Sequence, residues 1–198
     1  MALDQKALQK KRAKRELKRK QAKTTVARQS GGRSLPHGWA SAAQAPIADV
    51  FAPTDLSAVG MGTVWFNRRL PDGRYAIAGF VVDTYCLGVK NALYNVVDEA
   101  EYASLLAHIR SGATEVLERQ DPAYARKLVE GAVDYAKALG FEPHEDYRNA
   151  RALFGDIDAA SCPVQFTFGR DGKPLYIQGP DDSPAMMRRI AMRLSRHA

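Results

Sequence analysis

Six side chains of types that do chemistry fall in three short stretches. Asp83 closes the apolar run "AIAGFVVD", and Cys86 and Lys90 follow it in "DTYCLGVK". His144 and Asp146 stand together in "FEPHEDY", and Asp182 lies in "QGPDDSP". A carboxylate at the end of a sheet strand is well placed to meet a cation or a substrate. If Asp83, Asp146 and Asp182 converge, they would hold a divalent metal, Mg²⁺ or Mn²⁺, for phosphoryl transfer. His144 has the chemistry of a general base or metal ligand, with Asp146 orienting the ring or sharing the metal. Cys86 and His144 would form a thiol nucleophile with its base, and Lys90 is the nearby cation. These five, Asp83, Cys86, Lys90, His144 and Asp146, are the candidate catalytic residues, and the three aspartates are the candidate metal ligands.

Each has a plainer account, which the sequence favours. Asp83 begins a turn that Gly88 allows, Cys86 is a small buried side chain, and Lys90 is solvated. Glu145 and Asp146 complement the positive end of a helix, and one of Asp181 and Asp182 caps the last helix. No phosphate-binding glycine loop, dinucleotide fingerprint, serine-hydrolase elbow or HExxH stretch is present. Two cysteines and four histidines make no zinc cage. The cysteines are far apart and outside any CxxC, which suits a reducing, cytoplasmic setting. No apolar run reaches the length of a membrane span, so no membrane partner is expected.

The strongest signal is charge. The 198-residue chain carries +7, and residues 1–34 hold twelve Lys or Arg against Asp4 and Glu16, or +10. The remaining seventeen basic and twenty acidic residues give −3. A block of like charge of this kind is characteristic of an interaction tail. Lys10, Lys11, Arg12, Lys14, Arg15, Lys18, Arg19, Lys20 and Lys23 are of the types that contact phosphates without reading sequence. The tail has no aromatics for base stacking and no apolar face for a membrane surface. Residues 2–29 are good helix formers. Leu3, Leu8 and Leu17 are too few to make a buried face, so the helix is expected to be nascent alone and firmer on an acidic surface.

The rest of the chain must position the candidate residues. Residues 35–59 read as a linker rich in Ser, Gly, Ala and Pro, with Trp39, Ile47, Val50 and Phe51 able to pack back on a single domain over 60–198. The domain opens with a hairpin turning at Pro71-Asp72-Gly73, and "CLGVKNALYNVV" is a candidate third strand. Asp98 caps a helix carrying Tyr102, Leu105, Leu106 and Ile109 on one face. Asp121-Pro122 opens a second helix, ended by Gly140. "FEPHEDYRNARALFG" gives a turn and a third helix, and "PVQFTFGRDGKPLYIQG" a second hairpin around Asp171-Gly172. A last helix starts near Pro184, with Met187, Ile190, Ala191 and Leu194 inward and Arg189, Arg193 and Arg196 on the other face. Strands in runs and helices in runs predict an α+β fold, a mostly antiparallel sheet built from two hairpins and covered by helices.

Three stretches, "VVDTYCLGVKN", "GAVDYAKALGFEPHEDY" and "FGRDGKPLYIQGPDD", resemble a group of uncharacterised bacterial proteins, some of which carry an SEC-C motif. The resemblance spans roughly residues 60–182. It implies a bacterial cytosolic domain in which Asp83, Cys86, Lys90, His144, Asp146, Gly172 and Pro174 occupy motif positions. It brings no activity, the SEC-C cysteines are absent, and the basic tail lies outside it.

The expectation for function is a binding module, an α+β domain tied to RNA, DNA or the ribosome by its basic extension. The alternatives are a metal-dependent nuclease or phosphoesterase, with an RNase H-like comparison at the level of fold, and a protein-interaction module of a bacterial defence or toxin system.

Overall fold

The computed structural model describes residues 4–26, 35–111, 115–179 and 182–196, and the side chains in those ranges except at 18–26. A long helix, α1 (Gln5–Val26), precedes the sheet. After it come α2 (Trp39–Ala42), β1 (Ile47–Pro53), α3 (Leu56–Val59), β2 (Met61–Arg69), β3 (Tyr75–Asp83) and β4 (Gly88–Val97). The second half holds α4 (Glu99–Arg110), β5 (Leu117–Arg119), α5 (Pro122–Ala138), α6 (Tyr147–Ala150) and α7 (Pro184–Leu194), with 3₁₀ turns at Arg151–Phe154 and Ala159–Ser161.

The five strands form one antiparallel sheet in the order β4-β3-β2-β1-β5. Alternation along β2 and β3 builds two faces. Val64, Phe66, Ala78, Phe80 and Val82 point to one side, where α5 lays Leu128, Val129, Ala132 and Val133 on them. Tyr147, Leu153 and Phe154 complete this main core, and Phe154 stacks on Phe80. Phe51 and Ile77 point to the other side, against Tyr102, Leu105 and Ile109 of α4. The result is a helix–sheet–helix sandwich, α+β as the element order predicts.

The starts of α4 and α5 are those read in the sequence, whereas α2 and α3 lie in residues 35–59, read there as a linker. Asp98 and Glu101 form a reciprocal capping box at α4. Asp121 accepts from the Ala123 amide at 2.8 Å, with Pro122 at the first turn of α5.

Two segments differ from expectation. Residues 47–53, read as part of a linker, are β1, which lies between β2 and β5 inside the sheet. Trp39, Val50 and Phe51 are buried as expected, whereas Ile47 is exposed. The second hairpin is a turn without a strand ladder. Asp171 and Gly172 have positive φ and one bridge joins Arg170 to Lys173. Its arms spend their backbone hydrogen bonds elsewhere. The amides of Gly169 and Leu175 donate to the carbonyls of Thr84 and Tyr85, in the β3–β4 turn. Phe166 and Phe168 meanwhile pack on Tyr124 and Tyr135 of α5. Among the described residues, no helix is long and apolar enough to cross a membrane.

Candidate functional site: a docked basic helix and the cleft beside it

Leu8, Arg12 and Arg15 sit at i, i+4 and i+7, one stripe of a helix. That stripe of α1 is buried, each residue under 5% exposed. Leu8 packs with Tyr85 and Ile177. Arg12 donates through Nε to the Val59 carbonyl at 2.8 Å and through Nη1 to Asp83 at 3.2 Å. Its guanidinium lies over the Tyr85 ring, 5.1 Å from the centroid. Arg15 donates to the Met61 carbonyl and forks onto both oxygens of Asp55, at 2.9 and 2.8 Å. Lys11 adds a third contact to Asp55 at 2.8 Å. Glu115 stands 3.9 Å from Arg15 while accepting from the Thr63 amide. Gly60 makes this approach possible. Its φ is +69°, and a Cβ there would lie 2.4 Å from Arg12 Nη2 and 2.3 Å from the Tyr85 ring.

The domain therefore supplies its own acidic surface for the tail. Arg12 and Arg15, expected to face a phosphate partner, are instead committed to Asp83, Asp55 and two backbone carbonyls. Leu8, judged insufficient for a buried face, is buried because arginine stems extend the stripe. Burial works to raise the Asp55 carboxyl, but the hydrogen bonds and charges of Arg15 and Lys11 outweigh it and hold it below its ordinary value. Lys6, Lys10 and Lys14 remain exposed on the outer side of α1. The side chains of Lys18, Arg19, Lys20 and Lys23 lie outside the described residues.

Asp83 is a fully buried structural carboxylate. One oxygen accepts from the amides of Tyr85 and Cys86, at 2.9 and 3.1 Å, forming the turn after β3, and the other takes Arg12. Cys86 is fully buried next to Leu87 and Phe141. Burial first, and then the charge of Asp83, push its thiol up to about 12. That is a poor nucleophile at neutral pH. Asp83 and Cys86, two of the candidate catalytic residues, are thus a turn former and a core residue.

Lys90 is the extra residue of a bulge. Val81 pairs with Asn91 and Val82 with Val89, which leaves Lys90 between them. A bulge re-aims its side chain, and Lys90 meets Glu16 of α1 at 3.1 Å. The other oxygen of Glu16 lies against Gly179, where a Cβ would come within 2.7 Å. Asp182 accepts from the Gly179 amide at 2.7 Å and from the Tyr176 hydroxyl at 2.6 Å. Burial tends to raise the Asp182 carboxyl. The bonds from Tyr176 and Gly179, with the charge of Lys90, bring it below its ordinary value. Burial and the bond to Asp182 in turn raise the Tyr176 hydroxyl.

His144 and Asp146 stay together. His144 Nδ1 accepts from the Asp146 amide at 3.2 Å, and the Asp146 carboxylate stands 3.6 Å from the same nitrogen. Asp146 lies at the start of α6 without a side-chain cap bond. Among the described residues, no three His, Cys, Asp or Glu gather to hold a metal. Asp83, Asp146 and Asp182 do not form the metal set considered from the sequence, because Asp83 and Asp182 direct their oxygens to Arg12, Tyr176 and backbone amides.

Lys90 and His144 do share a surface. They line a cleft of about 490 Å³ bounded by the start of β4, the 141–144 turn and α7.

Compared with protein-family models, with curated proteins and with solved structures, the chain matches none.

Proposed function

We propose that this protein binds the phosphate backbone of nucleic acid, RNA or DNA, through the outer side of α1. The observation that carries the reading is the exposure of Lys6, Lys10 and Lys14 at i, i+4, i+8 on a helix whose opposite stripe is pinned by Leu8, Arg12 and Arg15. Successive lysines at this spacing advance about 6 Å along the axis, close to the step between neighbouring phosphates of one strand. Docking orders the helix before any ligand arrives, so binding loses little conformational entropy there. Contacts of this type give affinity without base recognition.

The test is fluorescence anisotropy with labelled single-stranded RNA and duplex DNA at low salt. It compares the full chain with a Lys6→Ala/Lys10→Ala/Lys14→Ala variant. The expected result is a loss of affinity of about tenfold or more in the variant, with the folding midpoint unchanged. Equal affinity of the two proteins, or no binding by either, overturns the reading.

A further inference from the structure

The cleft beside α7 combines three features. First, its floor is apolar: Leu87, Val89, Phe141 and Ile190 line it and are each buried. Second, its volume of about 490 Å³ falls within the range of small-molecule sites, about 300–1,000 Å³. Third, its lining contains Lys90, Arg189 and Arg193 against one acid, Glu142.

The cations differ in availability. Arg193 lies over the Phe141 ring, 5.4 Å from its centroid, and donates to the Gly140 carbonyl. Lys90 is paired with Glu16. Arg189 is exposed and makes no ion pair or hydrogen bond among the described residues. His144 adds a donor of fixed identity. Its Nδ1 accepts from the Asp146 amide, so the neutral ring carries its proton on Nε2. One uncommitted guanidinium, one imidazole N–H and a flanking ammonium above an apolar floor suit an anionic head on a flat apolar body.

We propose that this cleft binds a small organic anion, a carboxylate or phosphate monoester attached to an aromatic or similarly flat apolar group. Arg189 makes the charged contact, His144 donates through Nε2, and Phe141 and Ile190 face the apolar body. The site is separate from the lysine ridge of α1, and its occupancy does not depend on nucleic-acid binding.

The test uses three probes of matched shape, 1-naphthyl phosphate, 1-naphthoate and neutral 1-naphthol, titrated by NMR into the full chain. Saturable binding of both anions is expected, with naphthol weaker by about tenfold or more, the range that a charge-assisted hydrogen bond spans. The His144 ring resonances shift with the same saturation. Arg189→Glu weakens the anions by about tenfold or more, whereas Arg188→Glu, which makes the same charge change at an exposed position outside the cleft lining, leaves them unchanged. Failure of both anions to saturate, naphthol binding as tightly as they do, or equal losses from the Arg188 and Arg189 variants each overturn the proposal.

Discussion

At the scale of single residues, the pairing of Arg12 with Asp83 decides most. Both side chains are buried, at 2% and 0% exposure. Replacing one partner of such a pair leaves an uncompensated charge in the interior and costs roughly 3–5 kcal/mol. Asp83→Asn keeps an oxygen for the Tyr85 and Cys86 amides, so its cost is that of losing the charge and the acceptor that face Arg12. Denaturant unfolding should show that cost. The double variant Arg12→Met/Asp83→Asn should lose less than the sum of the single changes, because no buried charge is left alone. Strict additivity would contradict the pairing. Cys86 gives a second residue-scale expectation. With its thiol near 12, the thiolate fraction at pH 8 is about a thousandfold below that of an ordinary cysteine. Alkylation of Cys86 followed by mass spectrometry should be correspondingly slow in the folded protein and fast in denaturant. Rapid labelling of the native chain would contradict its burial.

At the scale of elements, docking of α1 should weaken in acid. The folded-state pKa of Asp55 is depressed by Arg15 and Lys11. Its contribution is therefore present above the unfolded carboxylate value, about 3.9, and is lost as pH falls from there through the folded value. Asp182, also depressed, acts in the same direction. Amide protection factors along α1 should hold from pH 6 to about pH 5 and fall as pH is lowered through about 3.9 and below, and Asp55→Asn should lower them at pH 6 and flatten the change. Protection independent of pH in the native protein would contradict the docking account. Elements also show what the sequence makes legible. The β2–β3 hairpin, the α4 and α5 caps and the apolar stripe of α5 could be read because local chemistry alone specifies them. The strand β1 could not, because "IADVFAP" holds two alanines and a proline and gains its pairing only from β2 and β5. The ladder expected in 163–179 fails for the opposite reason: its strand-like pattern is real, but the β3–β4 turn offers nearer hydrogen-bond partners. The packing stripe of α1 escaped because two of its three members are arginines, and a count of apolar residues passes over them. Asp55 and Glu115, which receive Arg15, carry no local signature. Only their meeting with α1 in space reveals them.

At the scale of the whole molecule, the division into a basic tail and an acidic domain has a partly internal meaning. Some of the +10 of residues 1–34 is met by the domain's own Asp55, Asp83 and Glu115, whereas Lys6, Lys10 and Lys14 are exposed. Removing the tail would strip Arg12 from Asp83 and uncover Tyr85 and Ile177, so a deletion confounds binding with folding. The lysine ridge separates the two. Lys6, Lys10 and Lys14 are exposed and their side chains make no ion pair or hydrogen bond among the described residues, and changing them to alanine should alter stability by less than about 0.5 kcal/mol.

The most direct measurement is the salt dependence of duplex DNA binding for the full chain and for the Lys6→Ala/Lys10→Ala/Lys14→Ala variant. Each phosphate contact contributes about 0.9 to the slope of log affinity against log salt. The account predicts a slope shallower by about 2 to 3 in the variant, with identical unfolding curves for the two proteins. An unchanged slope would show that the exposed side of α1 does not meet the phosphates, and would contradict the central claim.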